Sequence, residues 1–118
     1  MTFRRFLMGA AIGALATTSL AGAASAQSCD TSFVLMNTSR VVVQEFYFNP
    51  ARNPDWGRDR LGDGVVNPGG QMAFRPAGNA TRYDFRVVWS NGENAELRNV
   101  DICSTSRIVA TQQGVEAR

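Results

Sequence analysis

The clearest pattern in the chain is an alternation of apolar and charged residues from Arg82 to Trp89. A period of two is typical of a β-strand that is buried on one face. Ser90-Asn91-Gly92 follows with the composition of a turn, and a second alternating stretch continues to Ile102. The pattern therefore predicts a β-hairpin over residues 82–102.

The register of this hairpin follows from the side-chain pairs that each loop length creates. A two-residue loop would place charged residues opposite apolar ones and so mix the two faces. A three-residue loop joins apolar residues on one face and opposite charges on the other. The pairs predicted by this second register are Val87 with Ala95, Phe85 with Leu97, Arg86 with Glu96 and Asp84 with Arg98.

Shorter apolar stretches predict further strands. Phe33–Met36 is a continuous apolar run, which indicates a strand covered on both faces. Val41–Phe48 is rich in β-branched and aromatic residues, and we expect it to pair antiparallel with the first strand. Residues 71–75 and 107–110 predict two more strands, the latter at a sheet edge, and residues 111–118 are predicted to be a flexible tail.

The segment from residue 49 to residue 70 is rich in Asn, Pro and Gly, which predicts turns. Within it we expect Arg58–Leu61 to form one helical turn and Trp56 and Leu61 to fold back onto the core, which also receives Trp89. Six or seven short strands separated by such turns predict an all-β fold, a small antiparallel sandwich or barrel.

The first 26 residues have the features of an export signal. Arg4-Arg5 precedes an apolar run, rich in Ala and Gly, that ends at Ala24-Ser25-Ala26, a pattern that signal peptidase cleaves. The apolar run is too short and too diluted for a permanent membrane span. We therefore predict a cleavable signal helix over residues 1–26 and a periplasmic or extracellular mature protein without a stable membrane anchor.

The route of export has two interpretations. Arg4-Arg5 followed by Phe6-Leu7 resembles the twin-arginine export signal, although Phe3 stands where that signal has a polar residue. An ordinary secretory signal with two arginines in its basic region is the alternative.

The chain contains two cysteines, Cys29 and Cys103. In an oxidising compartment, an isolated pair of cysteines predicts a disulfide. This bridge would join the N-terminal arm to the end of the hairpin. Residues 27–110 are then a single β domain that the bridge helps to stabilise.

Charge narrows the class of partner. The chain has twelve arginines and no lysine against ten Asp and Glu, and two of the arginines, Arg4 and Arg5, belong to the predicted signal. A mature chain close to neutrality lacks the basic surplus of a nucleic-acid-binding protein. The partner we expect is a protein or a small molecule, with the oligomeric state left open.

The chemistry open to the chain is limited because it contains neither histidine nor lysine. A Ser-His-Asp arrangement, a Schiff base and a lysine-containing phosphate loop are therefore excluded. Carboxylate catalysis remains, but it needs two carboxylates across a cleft, for which a small β domain has little room. We predict a non-catalytic binding or interaction module without a cofactor.

Two sets of residues are candidates for a site. Asp55, Asp59 and Asp63 offer the oxygen ligands that calcium prefers, although capping a turn or pairing with an arginine is the alternative role. Trp56 and Tyr47 are candidates for an aromatic face that contacts a peptide or sugar, with core packing as the alternative. A calcium- or carboxylate-dependent enzyme that uses the loop from Asp55 to Asp63 is the second functional hypothesis.

Several motifs together resemble a family of small exported bacterial proteins. The family has a W-G-x-D-x-L-G loop, a P-G turn, a Y-D-x-R-V strand, a D/N-G turn and a V-x-x-C end. Family members often have a cysteine just before the Y-D strand, where this chain has Ala80 and Thr81. The resemblance implies export and no particular activity. The matching segments are Asp55–Gly62, Pro68-Gly69-Gly70, Tyr83–Val87, Asn91-Gly92 and Val100–Cys103.

Overall fold

The structure, a computed structural model, describes residues 29–118. The predicted signal peptide and its paired arginines lie outside the described residues. No helix within residues 29–118 is long and apolar enough to cross a membrane. The strands are β1 (Phe33–Asn37), β2 (Val43–Pro50), β3 (Gln71–Phe74), β4 (Arg82–Trp89), β5 (Asn94–Asp101), β6 (Arg107–Thr111) and β7 (Gly114–Ala117), with a short 3₁₀ turn at Ile102–Ser104.

The strands form two sheets that pack against each other around one core. The order in the first sheet is β3-β1-β6-β7, and the order in the second is β2-β4-β5. β1 and β6 run parallel, whereas the other strand pairs are antiparallel. The predicted all-β sandwich is confirmed, and the parallel pair departs from the fully antiparallel arrangement that was expected.

The hairpin of β4 and β5 has the predicted register. The Cα partners include Phe85 with Leu97, Arg86 with Glu96 and Val87 with Ala95. Opposite Asp84, β5 contains one extra residue, so that the register shifts by a β-bulge. Asp84 and Arg98 still form the predicted ion pair, with 3.1 Å between Oδ2 and Nη1.

Phenylalanine rings occupy the centre of the core. The ring of Phe33 lies 5.2 Å from that of Phe48 and 5.3 Å from that of Phe85, both edge to face. Trp89 and Leu61 are also buried, as predicted. The indole nitrogen of Trp89 donates to a serine hydroxyl at 3.0 Å, which satisfies the polar atom of this ring.

β2 does not pair with β1, contrary to the prediction. β1 lies between β3 and β6, and β2 belongs to the other sheet. The Asn37 side chain donates to the carbonyls of Val41 and Val66 at 2.8 and 2.9 Å and accepts from the Ser39 amide. With these bonds, the segment between β1 and β2 carries the chain from one sheet to the other and does not form a hairpin turn. One face of β1 is buried and the other half-buried, whereas burial on both was predicted.

The loop between β2 and β3 covers the edge of β2. Oδ1 of Asp59 accepts from the amides of Phe46 and Leu61 at 3.0 and 2.9 Å. The Arg60 amide donates to the Phe46 carbonyl at 2.6 Å. The predicted helical turn at Arg58–Leu61 is wrong, because the loop uses these groups to satisfy an edge strand.

The C-terminal residues form β7, where a flexible tail over residues 111–118 was predicted. β7 pairs with β6, and β6 is therefore internal to its sheet and not the predicted edge strand. Oγ1 of Thr111 donates to the Gly114 carbonyl and accepts from the Gln113 amide, both at 3.1 Å. The polar stretch is thus a hairpin turn, closed by a side chain.

The predicted disulfide between Cys29 and Cys103 is present, with 5.4 Å between the two Cα atoms. It joins the segment before β1 to the 3₁₀ turn between β5 and β6. The bridge therefore ties the start of β1, in the first sheet, to the point where the chain crosses from β5, in the second sheet, to β6 in the first.

Candidate functional site

The outer face of the β2-β4-β5 sheet carries a group of polar and aromatic side chains. Successive side chains of a strand point to opposite faces, so that residues which alternate with the core residues form rows across the sheet. These rows are Glu45 with Val88 and Asn94, Tyr47 with Arg86 and Glu96, and Asn49 with Asp84 and Arg98.

Ion pairs connect the charged members of these rows. Arg86 Nη1 lies 2.9 Å from Glu96 Oε2, and Glu96 Oε1 lies 2.7 Å from Arg98 Nη2. The hydrogen bonds from Arg98 and then from Arg86 hold the pKa of the Glu96 carboxyl below its usual range, against the opposite effect of burial. The continuous chain of opposite charges fixes these side chains relative to one another.

Trp56 lies on this face and not in the core, so the prediction that it folds onto the core is wrong. Cζ of Arg98 lies 4.7 Å from the Trp56 ring centroid, a cation–π contact. The Tyr47 ring centroid lies 6.5 Å from that of Trp56. The Asn49 amide holds the loop by donating to the carbonyls of Trp56 and Asp55. The structure thus brings the two candidate aromatic residues together, with Trp56 half-exposed.

Tyr47 shares a hydrogen bond with the neighbouring carboxylate on β2. Its hydroxyl donates to Glu45 Oε1. This bond, followed by burial and the Glu45 charge, raises the pKa of Tyr47 to about 12. Tyr47 therefore presents a protonated hydroxyl on the face over the whole physiological pH range.

We expect Glu45→Ala to lower the pKa of Tyr47 toward about 10, the ordinary value for tyrosine. Ultraviolet absorbance of the phenolate, recorded against pH in a Tyr83→Phe background, measures the change because the chain has two tyrosines. The folded pKa lies above the unfolded one, so this bond stabilises the fold below about pH 10 and the contribution is lost as the pH rises to about 12. Glu116→Ala, on β7, is the control and should leave the titration unchanged. An unchanged midpoint in Glu45→Ala would contradict the assignment.

The three aspartates predicted as calcium ligands have separate positions. Asp59 accepts two backbone amides at the edge of β2, as described. Asp55 Oδ1 accepts from the Gly57 amide at 2.9 Å, and Asp63 is exposed. Within residues 29–118 no group of three or more His, Cys, Asp or Glu is placed to hold a metal ion. The structure therefore does not assemble the predicted calcium site.

Asp84 is the residue whose importance the sequence analysis missed. Its side chain is buried, and it accepts from the amide of Asn99 at 2.8 Å and from that of Arg52 at 3.4 Å, besides pairing with Arg98. One signal was present in the sequence. Core-facing residues of β5 recur at intervals of two up to Leu97 and then three to Val100, and this break in period marks the bulge that faces Asp84.

Comparison with protein-family models, with curated proteins and with solved structures finds no match for the chain. The resemblance to exported bacterial proteins therefore stays a prediction.

Proposed function

We propose that this protein is an exported, non-catalytic binding module. Its contact surface would be the Trp56 face, defined as Tyr47, Trp56, Arg86, Glu96 and Arg98. The observation that carries the proposal is the position of Trp56, a large aromatic side chain held half-exposed outside the core. Tryptophan, tyrosine and arginine are the residue types that contribute most to binding energy at protein surfaces.

The side chains of the Trp56 face are held in fixed positions by their neighbours, which supports this proposal. Arg98 is held by Glu96 and Asp84 and contacts the face of the Trp56 ring, while Asn49 holds the backbone of Trp56. A surface whose side chains are already ordered loses less conformational entropy when a partner binds. Its aromatic rings and its alternating donors and acceptors suit a peptide or a sugar.

The carboxylates of this face favour binding over catalysis. A carboxylic acid that acts as a general acid at neutral pH needs a raised pKa. The pKa of Glu96 is lowered by its arginine partners, so that Glu96 is an acceptor of hydrogen bonds and not a proton donor.

Export is supported by the disulfide between Cys29 and Cys103. Such bridges persist in the periplasm and outside the cell and are rare in reducing compartments. We propose a periplasmic or extracellular protein that begins at Gln27, after cleavage of the signal predicted over residues 1–26.

The test is affinity capture of the full-length gene product, carrying a C-terminal tag and recovered from the periplasmic fraction. We expect Trp56→Ala to weaken retention of the captured partner about tenfold or more, the effect of losing a binding hot spot. Val65→Ala is the matched control, because Val65 is an apolar residue that is 44% exposed outside this face.

Equal retention by Trp56→Ala and by the unchanged protein would contradict the use of this face. The mass of the recovered protein tests export in the same preparation, since a mass that includes residues 1–26 would contradict cleavage.

A further inference from the structure

A shallow depression of about 570 Å³ lies where the ends of β2, β4 and β5 meet. The polar residues of its lining are Arg52, Thr81, Arg82 and Asn99, and one proline and two alanines complete the lining. None of the residues of the Trp56 face lines it, so it is a separate concavity.

The lining of the depression contains two arginines and no Asp or Glu. Neither Arg52 nor Arg82 forms an ion pair within residues 29–118, and residues 1–28 contain no Asp or Glu. Asp101 is the cross-strand partner of Arg82, but its Oδ1 accepts the Cys103 amide instead. Arg82 Nη1 donates to a backbone carbonyl at 3.0 Å, which leaves its other N–H groups for a ligand.

Two further residues with side-chain donors line the depression. The Thr81 hydroxyl and the Asn99 side-chain amide make no hydrogen bond within the described part of the chain. Two arginines, a threonine and an asparagine thus line one concavity that has no acidic residue in its lining, a composition suited to an anion.

The backbone around the depression is strained. Arg52 and Asn99 have φ angles of 74° and 58°, and among residues 29–118 they are the two non-glycine residues in this left-handed region. This conformation costs free energy for a residue with a Cβ atom, and such strain concentrates at functional sites. The backbone amides of Arg52 and Asn99 both donate to the buried Asp84 carboxylate. Asp84 therefore positions the two residues that flank the end of β4.

We infer that this depression binds a tetrahedral oxyanion, phosphate or sulfate, either free or as a monoester. Arginine N–H groups match the spacing of oxyanion oxygens and form charge-assisted hydrogen bonds with them. The apolar lining provides room for the alcohol part of an ester. This inference is independent of the proposed function, because the two sites share no lining residue.

The test is a titration of the ¹⁵N-labelled protein, recovered with its disulfide intact, with inorganic phosphate. We expect the backbone amide resonances of Arg52, Thr81 and Asn99 to shift and to saturate.

Arg52→Gln and Arg82→Gln should each weaken phosphate binding about tenfold or more, the effect of losing one charge-assisted hydrogen bond. Arg58→Gln, an exposed arginine outside the depression, is the matched control and should change affinity less than twofold. Equal weakening by Arg58→Gln would overturn the inference, because net charge alone would then explain binding.

Arg52→Gly separates binding from strain. Glycine accepts a positive φ without cost, so that this variant should raise the melting temperature. It should also weaken phosphate binding as much as Arg52→Gln does. A raised melting temperature with unchanged phosphate binding would overturn the inference. Trp56→Ala should leave phosphate binding unchanged, and a loss there would overturn the location of the site.

Titrations with different anions identify the class of ligand that the depression binds. Inorganic sulfate should bind in the same affinity range as phosphate, whereas acetate, which has a single negative charge and two oxygens instead of four, should bind at least tenfold more weakly. Glycerol 3-phosphate distinguishes the two sources: tighter binding than inorganic phosphate supports an ester, and weaker binding supports the free ion. Acetate binding as tight as that of phosphate would overturn the assignment of a tetrahedral oxyanion.

Discussion

Replacing Cys29 and Cys103 together by serine is expected to lower the free energy of unfolding by about 4 kcal/mol. The bridge spans a sequence separation of 74 residues. Closing so long a loop removes conformational entropy from the unfolded chain, and the chain-entropy model assigns most of the stabilisation to this effect. Urea denaturation of the two proteins, followed by circular dichroism, measures the difference.

The reduced unchanged protein provides the control for this prediction. Its unfolding midpoint should coincide with that of the double serine variant, because both lack only the covalent link. Ser104→Ala, next to the bridge and exposed, should leave the midpoint nearly unchanged. A loss below about 1 kcal/mol in the double variant would contradict the role assigned to the bridge.

Asp84→Ala is expected to lower the free energy of unfolding by about 3 kcal/mol. The buried carboxylate accepts from the amides of Arg52 and Asn99 and pairs with Arg98. Its removal leaves these amides without an acceptor and leaves two left-handed residues without the bonds that hold them. Asp84→Asn keeps an acceptor oxygen, and its effect should be about half as large. Chemical denaturation at pH 7 measures both variants.

Glu96→Gln is the matched control, because Glu96 also pairs with Arg98 but is exposed to solvent. Its effect should stay below about 1 kcal/mol, the usual range for a surface ion pair. A second measurement tests the mechanism: Asp84→Ala should cost less in an Arg52→Gly background, where the strained residue has been relieved. Equal costs in the two backgrounds would show that Asp84 does not hold Arg52 in place.

The features predicted correctly follow from a local pattern of side chains or from composition. The β4–β5 register follows from charge pairs around a loop of three residues, all within one hairpin. The disulfide follows from a count of two cysteines and from the expected compartment. Leu61 and Trp89 enter the core as expected of large apolar residues.

The pairing of distant strands and the position of Trp56 were not predicted. The parallel pairing of β1 with β6 joins residues such as Val34 and Arg107, and no local pattern specifies that partner. Hydrophobicity favoured the core for Trp56, but the side chains of Asn49 and Arg98 hold it on the outer face. Both contacts exist only after the loop has folded over the sheet.

The amino-acid sequence by itself determined six of the seven β-strands, one hairpin register, the pairing of the cysteines and the absence of histidine and lysine chemistry. Periodicity and cross-strand pairing act over a few residues, and for this reason they can be derived from the order of the side chains. The tertiary structure decided which strands share a sheet, where Trp56 lies and that Asp84 joins Arg52 to Asn99. These outcomes depend on competition among many distant partners for burial and hydrogen bonds, and only the complete fold determines which of these contacts form together.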